Sequence, residues 1–288
     1  MKIALLSCTT WAGVLEKEQA FAETIHIPNT QIDVKAWTDE TVDWTQYDYL
    51  VFRTTWDYFN NPEAFEAWLV RLENLGVKTL NSIMTVRHNM HKFYLHHLQN
   101  KGVEIVPTVF IPKNTGLDLS VLHEKGWAKA VLKPAISGGA YLTKRFNIED
   151  IDAITAEYTP IAAERDLLLQ PFLTEIQTAG EISLLFFNGV FSHAVVKTPV
   201  KDEFRIQSQF GGSYSPYTPY ANLLATAENI IRAFGGDLLY ARVDGVFRNG
   251  KFLLMELELI EPDLYFETNE AAKSNFINAL AEKLGVRD

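Results

Sequence analysis

The chain has 288 residues, 47% of them hydrophobic, with a mean hydropathy near zero, enough apolar material for two or three lobes with cores of their own. Its 36 acidic residues against 26 Lys and Arg give a formal net charge of −10, which removes the global field that favours nucleic acid or an anionic membrane. A single cysteine, Cys8, excludes an intrachain disulfide and a four-cysteine zinc site.

The opening "MKIALLSC" has the look of a lipoprotein signal, but its apolar stretch, Ile3 to Leu6, is too short for the hydrophobic region of one. It reads as a first buried strand, with Cys8 as core. No window reaches the length of a transmembrane helix, and the expected location is the cytoplasm.

Strand and helix alternate through the first part. "KIALLSC" (2–8), "QIDVKAW" (31–37), the start of "YDYLVFRTTW" (47–56) and "VKTL" (77–80) read as strands. The segment around Glu16–Ile25 and "PEAFEAWLVRLENLG" (62–76) read as helices, the latter with Pro at its start and Gly at its end. This predicts a small parallel sheet covered by helices. A second unit follows, with helices over 91–102 and 119–126 and strands over 108–111, 129–134 and 166–173. Then the pattern turns antiparallel. Asn188-Gly189 lies between two β-rich runs in 181–199, and Asn249-Gly250 repeats the device in 241–260. Helices over 221–236 and 268–285 complete the chain. The expected fold class is α/β plus α+β, with domains at 1–82, 83–170 and 171–288.

The stretch "KFLLMELELIEP" (251–262) would be an ordinary buried strand without its glutamates. Simple alternation puts Leu253, Met255, Leu257 and Leu259 on one face and Phe252, Leu254, Glu256, Glu258 and Ile260 on the other. The two carboxylates are then about 6–7 Å apart and repel by roughly 2–3 kcal/mol at an effective dielectric of 20. A half-buried strand keeps such a pair only with a cation. The preceding strand supplies Arg242 and Asp244. A two-residue turn at Asn249-Gly250 pairs Asp244 with Met255, away from the glutamates. A three-residue loop, Arg248-Asn249-Gly250, gathers Asp244, Glu256 and Glu258 on one surface, and this loop is the expected one. Three oxygen ligands without His or Cys suit Mg²⁺ or Mn²⁺. The competing reading is a solvated sheet face, which Phe252, Leu254 and Ile260 oppose. Glu261 falls on the opposite face unless Pro262 turns it back.

Cations for a metal–phosphate site have to come from elsewhere. Lys133 ends a strand and precedes the small-residue loop "AISGGA" (135–140), whose backbone can approach phosphate oxygens. Lys92, Lys197 and Arg205 are further candidates, although each alone is more often a solvated surface charge. Neither the G-x-x-x-x-G-K-[ST] nor the G-x-G-x-x-G pattern is present. Four histidines in 88–97 are too irregularly spaced for a metal site and suit an exposed helix.

Together these pieces resemble the ATP-grasp superfamily. The resemblance rests on 42–58, 131–140, 167–199, 203–212 and 241–262, in the expected order, and is nearest to the branch of the cyclo-ligase of D-cycloserine biosynthesis and glutathione-synthetase-like proteins. It implies that Lys92 and Lys133 hold ATP phosphates beside the loop of Ser137, Gly138 and Gly139. It implies an adenine-reading hinge at Gln170, Pro171, Phe172 and Leu173, and a ribose acid at Glu181. Lys197, Arg205 and Arg242 resemble the catalytic cations around the γ-phosphate, and Asp244, Glu256 and Glu258 the Mg²⁺ ligands. Many relatives carry Glu-x-Asn where this chain has Glu256-x-Glu258, which makes the second metal position more anionic.

The implied activity is C–N ligation. ATP and Mg²⁺ (or Mn²⁺) activate a small carboxylate as an acyl phosphate, an amine displaces phosphate, and ADP is released. The alternatives are an intramolecular cyclo-ligase of the cycloserine type and an ATP-binding protein without ligase activity. The segment "RTTWDYFNN" (53–61) follows a strand, where open α/β sheets bind ligands. Arg53 is the expected carboxylate clamp, with Trp56, Asp57 and Tyr58 lining the pocket; the competing reading packs Trp56 and Tyr58 into a domain interface. Expected partners are small-molecule carboxylates and amines, with no nucleic acid and no membrane; a homodimer is left open.

Overall fold

The computed structural model describes residues 1–200 and 211–286. Arg205, one of the expected cations, lies outside the described residues. The first sheet is wholly parallel. Its strands are β1 (Lys2–Ser7), β2 (Gln31–Ala36), β3 (Tyr49–Thr54) and β4 (Thr79–Leu80), in the order β2-β1-β3-β4. Ile3 to Leu6 are fully buried, as strands covered on both faces require. Helices α1 (Val14–Ala22) and α2 (Pro62–Asn74) belong to this unit; Asn61 caps α2 by accepting from the Ala64 N–H at 3.1 Å, with Pro62 in its first turn. Cys8 is core, as expected.

Two short helices follow, α3 (Ile83–Met90) and α4 (Tyr94–Asn100), with Lys92 in the break between them. Their apolar residues go to two different neighbours. Ile83, Val86 and Met90 join the core of the first sheet, whereas Tyr94, Leu95 and Leu98 pack with residues of the third sheet described below.

The second sheet is antiparallel, β5 (Val109–Ile111), β6 (Lys129–Pro134), β7 (Lys144–Asn147) and β8 (Leu167–Pro171), in the order β5-β8-β6-β7. Helices α5 (Val121–Lys125) and α6 (Ile151–Glu164) close a separate core around Leu122, Leu132, Phe146, Ile154 and Tyr158. The helices α3 and α6 and the strand β7 were not foreseen. Pro160 inside α6 hides its pattern.

The third sheet is also antiparallel. After α7 (Glu175–Thr178) come β9 (Glu181–Phe187), β10 (Val190–Thr198), β11 (Ser213–Pro216), α8 (Ala221–Phe234), β12 (Tyr240–Arg248), β13 (Lys251–Glu258) and α9 (Ala272–Lys283). The strand order is β11-β10-β9-β12-β13. Both Asn-Gly pairs make tight two-residue turns with positive φ at both positions: 53° and 77° at Asn188-Gly189, 52° and 77° at Asn249-Gly250. Among the described residues no helix is long and apolar enough to cross a membrane.

The second turn corrects the expected three-residue loop. Arg248 pairs with Lys251, so only Asn249 and Gly250 form the turn. The register shifts instead in mid-strand. Gly245 pairs with Leu254 and Asp244 with Glu256, leaving Met255 as an extra residue, a β-bulge. The bulge reverses the alternation of β13. Phe252, Leu254, Leu257 and Leu259 therefore share one core, while Leu253 and Met255 pack on the other side beside Val246. Arg242 faces Glu258 and Asp244 faces Glu256. The expected gathering of Asp244, Glu256 and Glu258 thus occurs, through the bulge and not through the turn.

Candidate active site

One cavity of about 350 Å³ collects side chains from the second and third sheets and from segments that follow strands of the first. One end is apolar, walled by Val106, Val131, Leu173 and Ile176, with Gln170, Pro171 and Phe172, the segment expected to form the hinge, along its edge. Leu173 and Ile176 are held there by packing with Val246 and Leu253 behind the bulge. Phe172 continues β8 through its N–H bond to the Lys129 carbonyl at 2.8 Å, and Gln170 Nε2 donates to Thr108 Oγ at 2.9 Å.

The other end is charged. Lys92, Lys133, Lys197 and Arg242 line it together with Glu181, Asp244, Glu256, Glu258, Glu261 and Asp263. Among the described lining residues, six carboxylates stand against four cations.

The cations differ in how they are held. Lys197 is buried and bonded to Glu181 at 2.5 Å and Asp244 at 3.3 Å. Arg242 grips Asp244 with Nε and Nη2, at 3.0 and 2.8 Å, and also pairs with Glu258 and the Asp263 carbonyl. Lys92 reaches Glu256 at 3.1 Å and donates to the Ser137 carbonyl at 2.5 Å. No described residue pairs with Lys133, which is only partly exposed, into the cavity. Burial first, and then Lys92, hold its ammonium below the usual lysine range, with Glu256 acting against them.

The carboxylates separate in the same way. Burial would raise Asp244, but Arg242, Lys197 and the Ser183 hydroxyl at 2.5 Å pull it down to about 2. Burial also works on Glu256, where Lys92 and Lys133 prevail and lower it. Glu258 goes the other way, pushed up to about 8 by burial, with Asp244 and Glu256 adding to it against Arg242. Glu261 is likewise held well above the usual carboxylate range, by burial and then by Glu258. Its place in the cavity settles which way it turns: it joins the two glutamates, and its carbonyl accepts from Trp56 Nε1 at 2.8 Å.

These partners bear on the expected metal set. The Asp244 side chain is 3% exposed and spent on Arg242, Lys197 and Ser183, whereas Glu256 and Glu258 keep 31% and 25%. Among the described residues, no three His, Cys, Asp or Glu side chains are gathered so as to hold a metal ion. Of the three expected ligands, Asp244 is thus committed to its cations, and Glu256 and Glu258 are the more accessible. Glu256 and Glu258, with Glu261 beside them, are oxygen donors in an over-anionic pocket. That donor set fits a hard divalent cation.

The small-residue loop after β6 closes the charged end. Ser137 Oγ donates to the Pro134 carbonyl at 3.0 Å, and Gly139 and Ala140 are left-handed at φ 57° and 64°. A Cβ on Gly138 would lie 2.7 Å from the Phe59 ring, so the loop and the first unit meet with no room for a side chain.

Of the expected substrate residues, Trp56 lines the cavity, edge-on to Trp11 at 6.2 Å. The other three do not. Arg53 is buried on Glu18 at 3.0 Å, with the rings of Phe21, Phe266 and Phe276 within 5.3 to 5.5 Å. Strand alternation sends it away from the cavity. Asp57 accepts from Trp37 Nε1 and Thr10 Oγ, each at 2.6 Å, and Tyr58 packs in the first core. Trp11 and Phe59 are lining residues that sequence reasoning missed. The histidines share no common site: His88 packs against His97 at 5.7 Å and stacks on Phe234, whereas His91 bonds Asp166 at 2.7 Å.

The chain is similar to several known proteins. Residues 3–81 match the family model for the N-terminal domain of the D-cycloserine synthetase DcsG. The cycloserine biosynthesis protein DcsG of Streptomyces lavendulae is 27% identical over 269 residues, covering 88% of each chain. The crystal structure of D-cycloserine synthetase DcsG superposes with a TM-score of 0.87 at 24% identity, over 99% of this chain and 100% of that one. D-alanine–D-alanine ligase from Bacillus anthracis, complexed with ATP, gives 0.74 at 16% identity over 98% and 96%. The chain therefore has the ATP-grasp fold, and along most of its length it resembles the D-cycloserine synthetase DcsG.

Proposed function

We propose that the protein is an ATP- and Mg²⁺-dependent ligase that joins a small carboxylate to an amine through an acyl phosphate. The observation that carries this reading is one continuous cavity with an apolar slot at one end and opposed cations and carboxylates at the other. Its support from relatives is the resemblance to DcsG along most of the chain.

In this reading adenine occupies the slot between Val131 and Leu173, along the Gln170–Leu173 hinge. Glu181 takes the ribose. Lys92, Lys133 and the Ser137–Gly139 loop hold the phosphates. A substrate carboxylate oxygen attacks the γ-phosphorus, the bond to the bridging oxygen breaks, and ADP leaves. An amine nitrogen then attacks the acyl carbon, phosphate departs, and the amine proton passes to phosphate or solvent. Arg242 and Lys197 are already fixed in the cavity wall, so they meet the developing charge without reorganising. Arg205 is a further candidate for that role. Glu256 and Glu258 would hold Mg²⁺, whose contribution is to neutralise charge on the phosphate oxygens. Trp11, Trp56 and Phe59 form the substrate side.

The test is a screen of amino acids and small carboxylates for substrate-dependent ADP release. Release with an added acid and amine, and a product joined through nitrogen, is the expected result. Tight MgATP binding without turnover across the screen would leave an ATP-binding protein instead. The match over residues 3–81 favours one narrower version, intramolecular ring closure. A product lighter than its single organic substrate by one water identifies it. Glu256→Gln is expected to fold normally and lose Mg²⁺-dependent turnover; full activity in that variant removes Glu256 from the metal set.

A further inference from the structure

We propose that Asn89 and Tyr94 are positioning residues that set the Glu256–Glu258 pair, an inference that rests on the ligase reading above. β13 is an edge strand, so one side of its backbone has no neighbouring strand. At Leu254 that side is bonded by the chain itself, from the Leu254 N–H to the Glu104 carbonyl at 2.9 Å and from the Val106 N–H to the Leu254 carbonyl at 3.0 Å. Beyond the bulge, side chains replace the strand. The Leu257 N–H donates to the Tyr94 hydroxyl at 2.8 Å, and that hydroxyl donates to the Leu257 carbonyl at 3.0 Å. Asn89 Nδ2 donates to the same carbonyl at 2.8 Å, and Asn89 Oδ1 accepts from the Leu259 N–H at 3.0 Å.

Leu257 is the residue between the two glutamates, and both gripping side chains are buried. Between them in sequence stands Lys92, which bonds Glu256 and the phosphate-loop carbonyl of Ser137. One short segment therefore sets the backbone that carries the carboxylates and supplies the lysine that faces them. Outer groups that orient metal-binding carboxylates typically change metal affinity by about 10- to 100-fold when removed.

The experiment compares Tyr94→Phe, Asn89→Ala and a distant packing control, Phe276→Leu. The readouts are Mn²⁺ affinity in the presence of ADP, ADP affinity without metal, amide exchange over 256–258, and melting temperature. Tyr94→Phe removes one oxygen and keeps the ring, so the core around it is retained; Asn89→Ala tests the same grip from the other side chain. The expected result is tenfold or greater weakening of Mn²⁺ in both variants, faster exchange at Leu257, and metal-free ADP affinity within twofold of the parent. Phe276→Leu is expected to lower the melting temperature without moving Mn²⁺ affinity. Parent-like Mn²⁺ binding in both variants, or equal weakening in the control, overturns the proposal alone. A parent chain that binds no Mn²⁺ with ADP overturns the ligase reading and this proposal together.

Discussion

Lys133 and Lys197 stand in one cavity, yet their surroundings predict opposite consequences of losing them. Lys197 neutralises Glu181 and Asp244 in a dry site. Its replacement by Met leaves two buried carboxylates short of a cation, and the expected loss is about 3–5 kcal/mol of stability, read from a urea midpoint. Lys133 has no described partner and sits desolvated below its usual range. Lys133→Met is expected to leave the midpoint unchanged or raised, and to weaken ADP binding more than tenfold by calorimetry. Equal stability losses in the two variants would show that Lys133 is structural. The sequence presented both as lysines at strand ends; only their neighbours distinguish them, and those come from β9, β12 and β13.

At the scale of elements, the bulge in β13 decides the site. Gly245 sits opposite it, and a Cβ there would fall 2.4 Å from the Leu253 carbonyl oxygen and from the Phe252 ring. Gly245→Ala is expected to cost more than the usual 1–3 kcal/mol of overpacking, because backbone as well as side chain must move. It should also abolish Mn²⁺–ADP binding, since restored alternation would turn Glu256 and Glu258 away from the cavity. Retained binding in a folded Gly245→Ala protein would show the bulge to be dispensable. β10 carries a second prediction. His193 is buried, with Nε2 on the Leu264 carbonyl at 2.9 Å and Nδ1 on Ser192 Oγ at 2.9 Å, and burial lowers its pKa although the Leu264 carbonyl acts against it. Above about pH 6.5 the ring is neutral both folded and unfolded, and nothing is lost. Below that, the unfolded chain takes up a proton that the folded one resists, so stability falls as the pH drops toward the folded value. Thermal melts of His193→Gln between pH 5 and 7.5 are expected to show a flatter acid side than the parent.

Across the whole molecule, the buried pair of Arg53 and Glu18 ties the first unit to the C-terminal helix through the rings of Phe21, Phe266 and Phe276. Removing one partner strands a buried charge. Arg53→Met is therefore expected to lose about 3–5 kcal/mol, and the double variant with Glu18→Met to recover most of it. ADP affinity should be unaltered in both, because Arg53 does not line the cavity. A stable Arg53→Met protein whose only defect is a raised KM for the carboxylate would return Arg53 to the substrate side.

Much of the architecture was legible from local pattern. The buried run of β1, the Pro-to-Gly limits of α2 and the Asn188-Gly189 turn each follow from a few adjacent residues, because alternation, capping and positive φ are local properties; at Asn249-Gly250 the hairpin was legible but its two-residue length was not. The order of 131–140, 167–199 and 241–262 carried the ATP-grasp resemblance. The residues expected at the hinge and the phosphate loop line one cavity together with Lys92, Lys133 and Glu181. What local pattern did not contain is which residues face each other across elements. An extra residue at Met255 looks like any other position until β12 is laid beside it. Arg53 looks like a carboxylate clamp until α1 brings Glu18 beneath it, and Glu261 turns into the site only through the path of the chain past Pro262. Periodicity is a property of one segment, whereas register, ion pairing and the choice of face are set between segments, by which buried charges must be paired and which backbone groups must be bonded.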